Sequence, residues 1–564
     1  ITSPVIGINK DILKDIIINS KFKYCILITS CGPAAYTAAQ EEMSNTIGQD
    51  MGLFHKLEQD LLSWMGNKDY TVEILNFPLF LAPITSNLFV TPPIKDIFPI
   101  VKESIKEDLQ TKHTYPEYDD LPKNLRISID HLASGISSLL PQLDMQEEIY
   151  CLGSFSNLVA TQLEAINSSV TRRRNATKKT CLILIDRTLD FGSVMSFSSD
   201  SLLDRIQTVL PRLPDHSSDI CVNMSPLCAG TVGSIAPGCL AHKGPVLEWL
   251  VNLKQKDVLL NLCQEFQNLN DIQIKYPLRN IPQLLDRQIL STYSKETMKL
   301  MEHSGFIEQV LAVTETLNSA KNSTVELAMS IEKLLLQTIA ADNGTSGAIN
   351  QLCQLFRCRH ERKLSVEVLL CILVNLYSMV GTQFVFQRHE EETLKKEIVD
   401  ALYNDRHLLK ESVFRVNHEI TQEKANDLGH HIISKLQALL VARNNFSKYR
   451  NVLKYEGPHQ PLVYNGLLDQ LLTDLTDPHK PPIPELVHKS QGLFRSGFSK
   501  LLSSSHPSDN QTFFLFIIGG VSGQETRKII EYFKKVKKEV IVGSTCLVSP
   551  SDVLSNYLNF EKFC

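Results

Sequence analysis

Three short apolar runs set the frame of this chain. They are CLILIDRTLD (Cys181–Asp190), FFLFIIGGVSGQE (Phe513–Glu525) and VIVGSTCLVSP (Val540–Pro550). Each is apolar at successive rather than alternate positions, and each stops abruptly at glycine or polar residues. That pattern predicts strands buried on both faces that end at the carboxyl edge of a parallel sheet. Between the first run and the second the periodicity changes. From about Pro245 to about Tyr455, apolar residues recur at three- and four-residue intervals. This predicts helices over Leu247–Phe266, Met298–Leu317, Val325–Ile339, Val366–Val380, Leu394–Leu402 and Leu428–Ala442. A sheet is thus begun, interrupted by a helical insertion, and resumed after the proline-rich segment Asp477–Pro484.

The first hundred residues alternate between the two periods. Asp11–Phe22 has helical spacing, and Tyr24–Thr29 and Tyr70–Phe77 read as strands. Pro78, Pro83, Pro92 and Pro93 break the following stretch into loops. Leu125–Leu143 predicts an amphipathic helix ending near Pro141, and Tyr150–Phe155 opens a second βα unit. The fold class expected is α/β, with two parallel-sheet domains and a large, mainly helical insertion in the second.

Composition narrows the function classes. With 564 residues and 43% hydrophobic residues the chain is long enough for several domains, each with its own core. Its net charge of −5 argues against a general nucleic-acid binder. The 13 cysteines contain no CxxC and no Cys/His set at zinc spacing, which fits a reducing, cytoplasmic compartment. The most apolar helix, Val366–Val380, is too short to span a bilayer and carries Glu367 and Asn375, so it predicts a buried helix. The strongest basic run is VTRRRNATKKT, with Arg172, Arg173, Arg174, Lys178 and Lys179. It reads as a solvated loop or as a contact for acidic lipid headgroups or an acidic partner.

The strand ends carry the candidate chemistry. Asp186 and Asp190 are carboxylates at a strand's carboxyl end, able in principle to hold Mg²⁺, or else to cap backbone in a local turn. Gly519, Gly520 and Gly523 open a helix, where backbone N–H groups can bind phosphate. Their spacing is not G-x-G-x-x-G, and no G-K-[ST] follows. Ser544 lies outside a G-x-S-x-G elbow, so it does not read as a nucleophile.

Together these blocks resemble the Sec/Munc (SM) family of SNARE-assembly proteins. Asp186, Arg187 and Asp190 match its D-R-x-x-D turn. Gly519, Gly520, Val521 and Glu525 match its G-G-V…E segment, and Gly543, Ser544, Thr545 and Pro550 its G-S-T…P segment. Trp64–Ile84 and Val209–Met224 are similar to a divergent branch of that family. The resemblance implies an arch of three domains. These are an α/β domain over 1–145 that lacks an opening strand–helix unit, a split α/β domain over 146–245 and 455–564, and a helical domain over 246–454 inserted in it. It also implies a non-enzymatic protein without cofactors, acting peripherally on secretory or endolysosomal membranes. Its expected partners are a syntaxin-type SNARE, a SNARE bundle and a vesicle-tethering complex. The SNARE-binding hairpin would fall near Pro282–Leu317, with Arg287, Lys295 and Lys299 as contacts to acidic SNARE helices. The rival readings are a nucleotide- or phosphate-dependent enzyme on the same α/β frame, and a tether-associated scaffold without SNARE binding.

Overall fold

The computed structural model describes residues 5, 7–30, 53–67, 69–77, 81–99, 118–166, 173–213, 216, 218–227, 236–241, 244–271, 280–294, 296–381, 383–409, 420–455, 457, 460–489 and 506–559. Its centre is a seven-stranded, mostly parallel sheet. Across the sheet the strands run Val487–His488, Met145–Leu152, Lys178–Asp186, Thr512–Ile518, Glu539–Ser544, Leu88–Val90 and Ala82–Pro83. The two strands on either side of the helical insertion lie side by side, in parallel register from Thr180 opposite Thr512 to Asp186 opposite Ile518.

Both faces of these strands are covered, which explains their unbroken apolar runs. Phe513, Leu515 and Ile517 point into one core, together with Cys181, Ile183 and Ile185. Phe514, Phe516 and Ile518 point into the other, with Leu182 and Leu184. The second core is closed by helices Lys123–Gln142 and Ser154–Ala165. The first continues without a break into the helical insertion, through Leu369–Val374 and Leu394–Leu402. Helix Val366–Val380 is buried at every position from Leu369 to Val380. It is an interior helix, as its length implied. Among the described residues no helix is long and apolar enough to cross a membrane.

A smaller unit lies outside this frame. Strands Tyr24–Thr29 and Thr71–Asn76 pair in parallel and pack with helices Gly7–Ser20 and Leu53–Met65 around Ile17, Leu27, Leu57 and Leu61.

The proline-rich stretch after Phe77 departs from expectation. Leu88–Val90 is a buried strand parallel to Glu539–Ser544, and Ala82–Pro83 pairs antiparallel with it at the sheet edge. An edge position tolerates proline because the missing N–H faces no neighbouring strand. Residues from the stretch expected to be a separate first domain therefore complete the central sheet. Two expected helices are each divided in the structure. Leu247–Phe266 becomes Pro245–Asn252 and Gln255–Asn270, and Met298–Leu317 becomes Thr297–Glu302 and Ser304–Asn318.

Candidate functional site

The residues singled out at the strand ends converge on one buried joint. Asp186 closes its strand, and its carboxylate accepts from the backbone N–H groups of Phe155 (2.8 Å) and Ser156 (2.6 Å). These are orphan donors at the start of helix Ser154–Ala165, which a carboxylate satisfies while complementing the helix dipole. Burial pushes the Asp186 carboxyl up to about 7, against the pull of those two hydrogen bonds.

Arg187 follows in a short 3-10 turn. One guanidinium nitrogen donates to both oxygens of Glu525, at 2.8 and 2.7 Å, and the other donates to the Asp190 carbonyl at 2.7 Å. The Arg187 and Glu525 side chains are only 3% and 2% exposed, so the pair is fully desolvated. Glu525 also closes a capping box with Ser522 at the start of helix Gly523–Lys535. Asp190 accepts from Gly192 N–H, the Tyr464 hydroxyl and Leu467 N–H, each at 2.8 Å. It thereby holds the start of helix Leu467–Thr476.

Gly519 and Gly520 have φ of +103° and +106°, a region L side chains rarely adopt. A Cβ at Gly519 would lie 2.9 Å from Arg187 Cβ, and one at Gly520 would overlap Val548. Gly519 N–H donates to Thr545 Oγ1 at 3.2 Å, and the Ser544 hydroxyl donates to the Ile517 carbonyl at 2.7 Å. Gly543 is held between aromatic rings, since a Cβ there would sit 2.6 Å from both Phe516 and Phe89.

This geometry bears on the chemistry the strand ends could carry. Asp186 and Asp190 are each committed to the start of a different helix, so they are structural caps rather than paired ligands. The N–H groups of Gly523 and Gln524, which a phosphate would use, donate to the Asp204 carboxylate at 2.5 and 3.0 Å. The anion seat is filled by the protein's own side chain, whose carboxyl burial raises to about 6. Among the described residues no group of three or more His, Cys, Asp or Glu is placed to hold a metal ion.

The joint also bolts the insertion to the sheet. Arg443 donates to the carbonyls of Leu189 (2.5 Å) and Ser378 (2.6 Å). Ser378 Oγ accepts from Phe191 N–H, and Asn375 donates to the Gly192 carbonyl. Glu332 accepts from Phe197 N–H and from the hydroxyls of Ser196 and Ser198. Asp204, Glu332, Arg443 and Tyr464 escape local pattern reading, because their partners lie far away in sequence.

The expected partner-binding residues lie elsewhere, on the insertion. Helix Ile281–Tyr293 packs against helix Ser304–Asn318 through Leu285, Ile289 and Ile307. Arg287 is exposed on it. Lys299, half-buried on helix Thr297–Glu302, sets its ammonium 5.9 Å above the Tyr293 ring. Lys295 is outside the described residues. Met298 and Met301 flank Lys299 and are 83% and 70% exposed. The M-x-x-M spacing in TMKLME was the sequence signal for this apolar pair. Asp286, Glu296 and Glu302 share this segment, so its charge is mixed rather than uniformly basic.

A family model described as the Sec1 family matches residues 256–556, more than half of the chain. The chain belongs to the Sec1 family. The match takes in Gly519, Gly520, Glu525 and Gly543–Thr545, while Asp186–Asp190 lies before it. The mouse (Mus musculus) Sec1 family domain-containing protein 2 is 28% identical over 593 residues, covering 98% of this chain and 86% of that protein. The human (Homo sapiens) protein of the same name is 27% identical, covering 97% and 86%. Among solved structures, the SM protein Vps45 superposes with a TM-score of 0.55 at 12% identity, covering 100% of this chain and 84% of Vps45. The Unc18–syntaxin 1 complex from Monosiga brevicollis gives 0.56 at 14%, covering 96% and 90%. Sly1p, solved with an N-terminal peptide of Sed5p, gives 0.53 at 13%, covering 100% and 84%. The fold is therefore that of the SM proteins.

Proposed function

We propose that this chain is a non-catalytic SM-type protein that binds a syntaxin-type SNARE and promotes vesicle docking and fusion. It would act from the cytoplasm at secretory or endolysosomal membranes. The observation that carries the reading is membership of the Sec1 family together with the SM fold over the whole chain. Related folds have been solved with the Qa SNARE Tlg2 and with syntaxin 1. In this reading the split α/β unit (146–245 with 455–564) is the base, and the insertion (246–454) reaches the partner.

The contact surface proposed is the segment around Arg287 and Lys299, with Lys295 as a third candidate. A SNARE helix presents an apolar stripe flanked by charge, which is helix-in-groove recognition. Met298 and Met301 supply adaptable apolar contact for such a stripe, while Arg287 and Lys299 supply the charge. The gain from these contacts must exceed the cost of ordering the SNARE.

The test is co-purification of the full-length protein with a panel of syntaxin-type SNARE cytosolic regions. Retention of one of them at a one-to-one ratio is expected. A folded protein that retains none of the panel, or retains only tether subunits, would sink the proposal.

A further inference from the structure

The amino edge of the central sheet carries a second exposed surface, and its charge is predominantly positive. Strand Lys178–Asp186 begins with Lys178 and Lys179, both exposed, and Arg174 precedes them, also exposed. Two strands across, the last turn of helix Gly523–Lys535 carries Lys534 and Lys535, and the turn into Glu539–Ser544 carries Lys537, all exposed. The register sets Thr180, Thr512 and Glu539 in one row. The strand starts beside the two basic groups are therefore about 10 Å apart, two strand spacings, on the same sheet end. Among the described residues none of these six side chains is held in a close ion pair, although the Asp144 carboxylate lies near enough to Lys178 to feel its charge.

The neighbouring charges do not cancel the patch. Arg173, in the same basic run, is occupied by Glu147 at 2.9 Å and by Glu164. Lys538 is turned inward, donating to the carbonyls of Ser508 (2.7 Å) and Asn510 (2.6 Å), and so pins the turn that displays its neighbours. Of the acids described on this edge, Asp509 is paired with Lys480 at 2.6 Å, and Asp144, which accepts from Thr177, keeps its negative charge beside Lys178. Glu539 is exposed there as well, and the six cations outnumber these carboxylates.

We infer that this edge is a direct contact for anionic membrane lipid. Six cations on a blunt sheet end match the cluster size that attracts acidic leaflets. Five of the six are lysines, compact point charges suited to a diffuse anionic surface rather than to bidentate recognition of one group. Val536, 36% exposed, sits in the middle of K-K-V-K-K, where an apolar side chain can enter the headgroup layer. The patch stands about 25 Å from the joint, the length of the nine-residue strand Lys178–Asp186. The sheet would then face the membrane at one end and carry the helical insertion at the other.

The experiment is co-sedimentation of the full-length protein with phosphatidylcholine vesicles, with and without phosphatidylserine. Binding is expected only to the phosphatidylserine vesicles, and it should weaken as salt is raised. The triple variant Lys534→Glu/Lys535→Glu/Lys537→Glu should weaken it by about a hundredfold or more. Lys178→Gln/Lys179→Gln should weaken it by about tenfold or more. Both variants change exposed side chains and should melt as the wild type does. Lys321→Glu/Lys333→Glu, on an exposed helix face elsewhere, should leave vesicle binding unchanged. Absence of vesicle binding, or binding that survives both patch variants, overturns the inference. So does binding of poly-glutamate with the same residue dependence but no vesicle binding, which would assign the surface to an acidic polypeptide.

Discussion

The joint around Arg187 and the outer face around Arg287 hold similar residue types in opposite circumstances. At the joint, arginine and carboxylates are desolvated and hydrogen-bonded to one another and to backbone, although the buried Arg187 Nε has no hydrogen-bond partner. Arg187 meets Glu525 and Asp190, and Asp190 meets Tyr464 and Leu467. On the insertion, Arg287 is exposed, and Met298 and Met301 stand open to solvent. The motif that makes the family recognisable therefore marks the frame. It holds three helix starts and the seat of the insertion. The surface proposed for partner binding is more open, with Lys299 set over the Tyr293 ring and Arg287, Met298 and Met301 exposed, and it has no strong motif.

This contrast breaks most clearly at Glu525. Glu525→Ala leaves the Arg187 guanidinium buried without its counter-ion, a change that costs roughly 3–5 kcal/mol. A large fall in the urea midpoint is expected. The double variant Arg187→Met/Glu525→Leu should recover most of the loss, because apolar residues of similar volume remove the desolvation cost as well as the attraction. If Glu525→Ala melted like the wild type, the joint would not be the structural centre described here.

Gly520→Ala should cost less, about 1–3 kcal/mol, since the added methyl meets Val548 and the backbone sits at positive φ. Denaturant titration of that single variant checks the point. Replacement at Gly244, which also has positive φ but has open space around its Cβ position, separates backbone strain from crowding.

Asp186 gives a pH-dependent test. Its folded pKa is about 7 against an ordinary value of 3.8. Between those values the folded protein keeps a proton that the unfolded chain has released. Its contribution to stability is therefore fully present below about pH 4 and is lost as pH rises through about 7, at up to about 1.4 kcal/mol per pH unit. Asp186→Asn removes this titration. The stability of the wild type relative to the variant should fall from pH 5 to pH 8. A flat or rising difference would mean that the carboxyl is ionised throughout.

Much of the frame was legible in the chain because it follows from local pattern. The runs at Cys181, Phe513 and Val540 are strands because both faces are buried, and their polar stops mark where the sheet ends. Helix Val366–Val380 was readable as interior from its length and composition. Other features depend on distant partners and leave no local trace. Asp204 fills the helix start at Gly523, and Glu332 holds the turn at Phe197. Arg443 joins Leu189 to Ser378. In sequence Asp204 and Glu332 are polar residues on amphipathic helices, and Arg443 lies in the turn after one. The glycine turn at Gly519–Gly523 resembled a phosphate loop for the same reason. The residue that occupies its donors is remote and had no motif to announce it. The strand at Leu88–Val90, second from the sheet edge, was hidden by flanking prolines, and Pro83 falls on the edge strand that pairs with it.

The outer face should show the smallest effect on stability and the largest on binding. Arg287→Glu/Lys299→Glu alters surface charge and removes the Lys299–Tyr293 ring contact, and should change stability by no more than about 1 kcal/mol.

The measurement that bears most directly on the account is the affinity of this double variant for the SNARE retained by the wild type. It is made at equilibrium, alongside the melting temperature. The account predicts a melting temperature within about 4 °C of the wild type and binding weakened by at least about tenfold, or about 1.4 kcal/mol. Unchanged affinity in a normally folded variant would contradict it and place SNARE recognition on another surface.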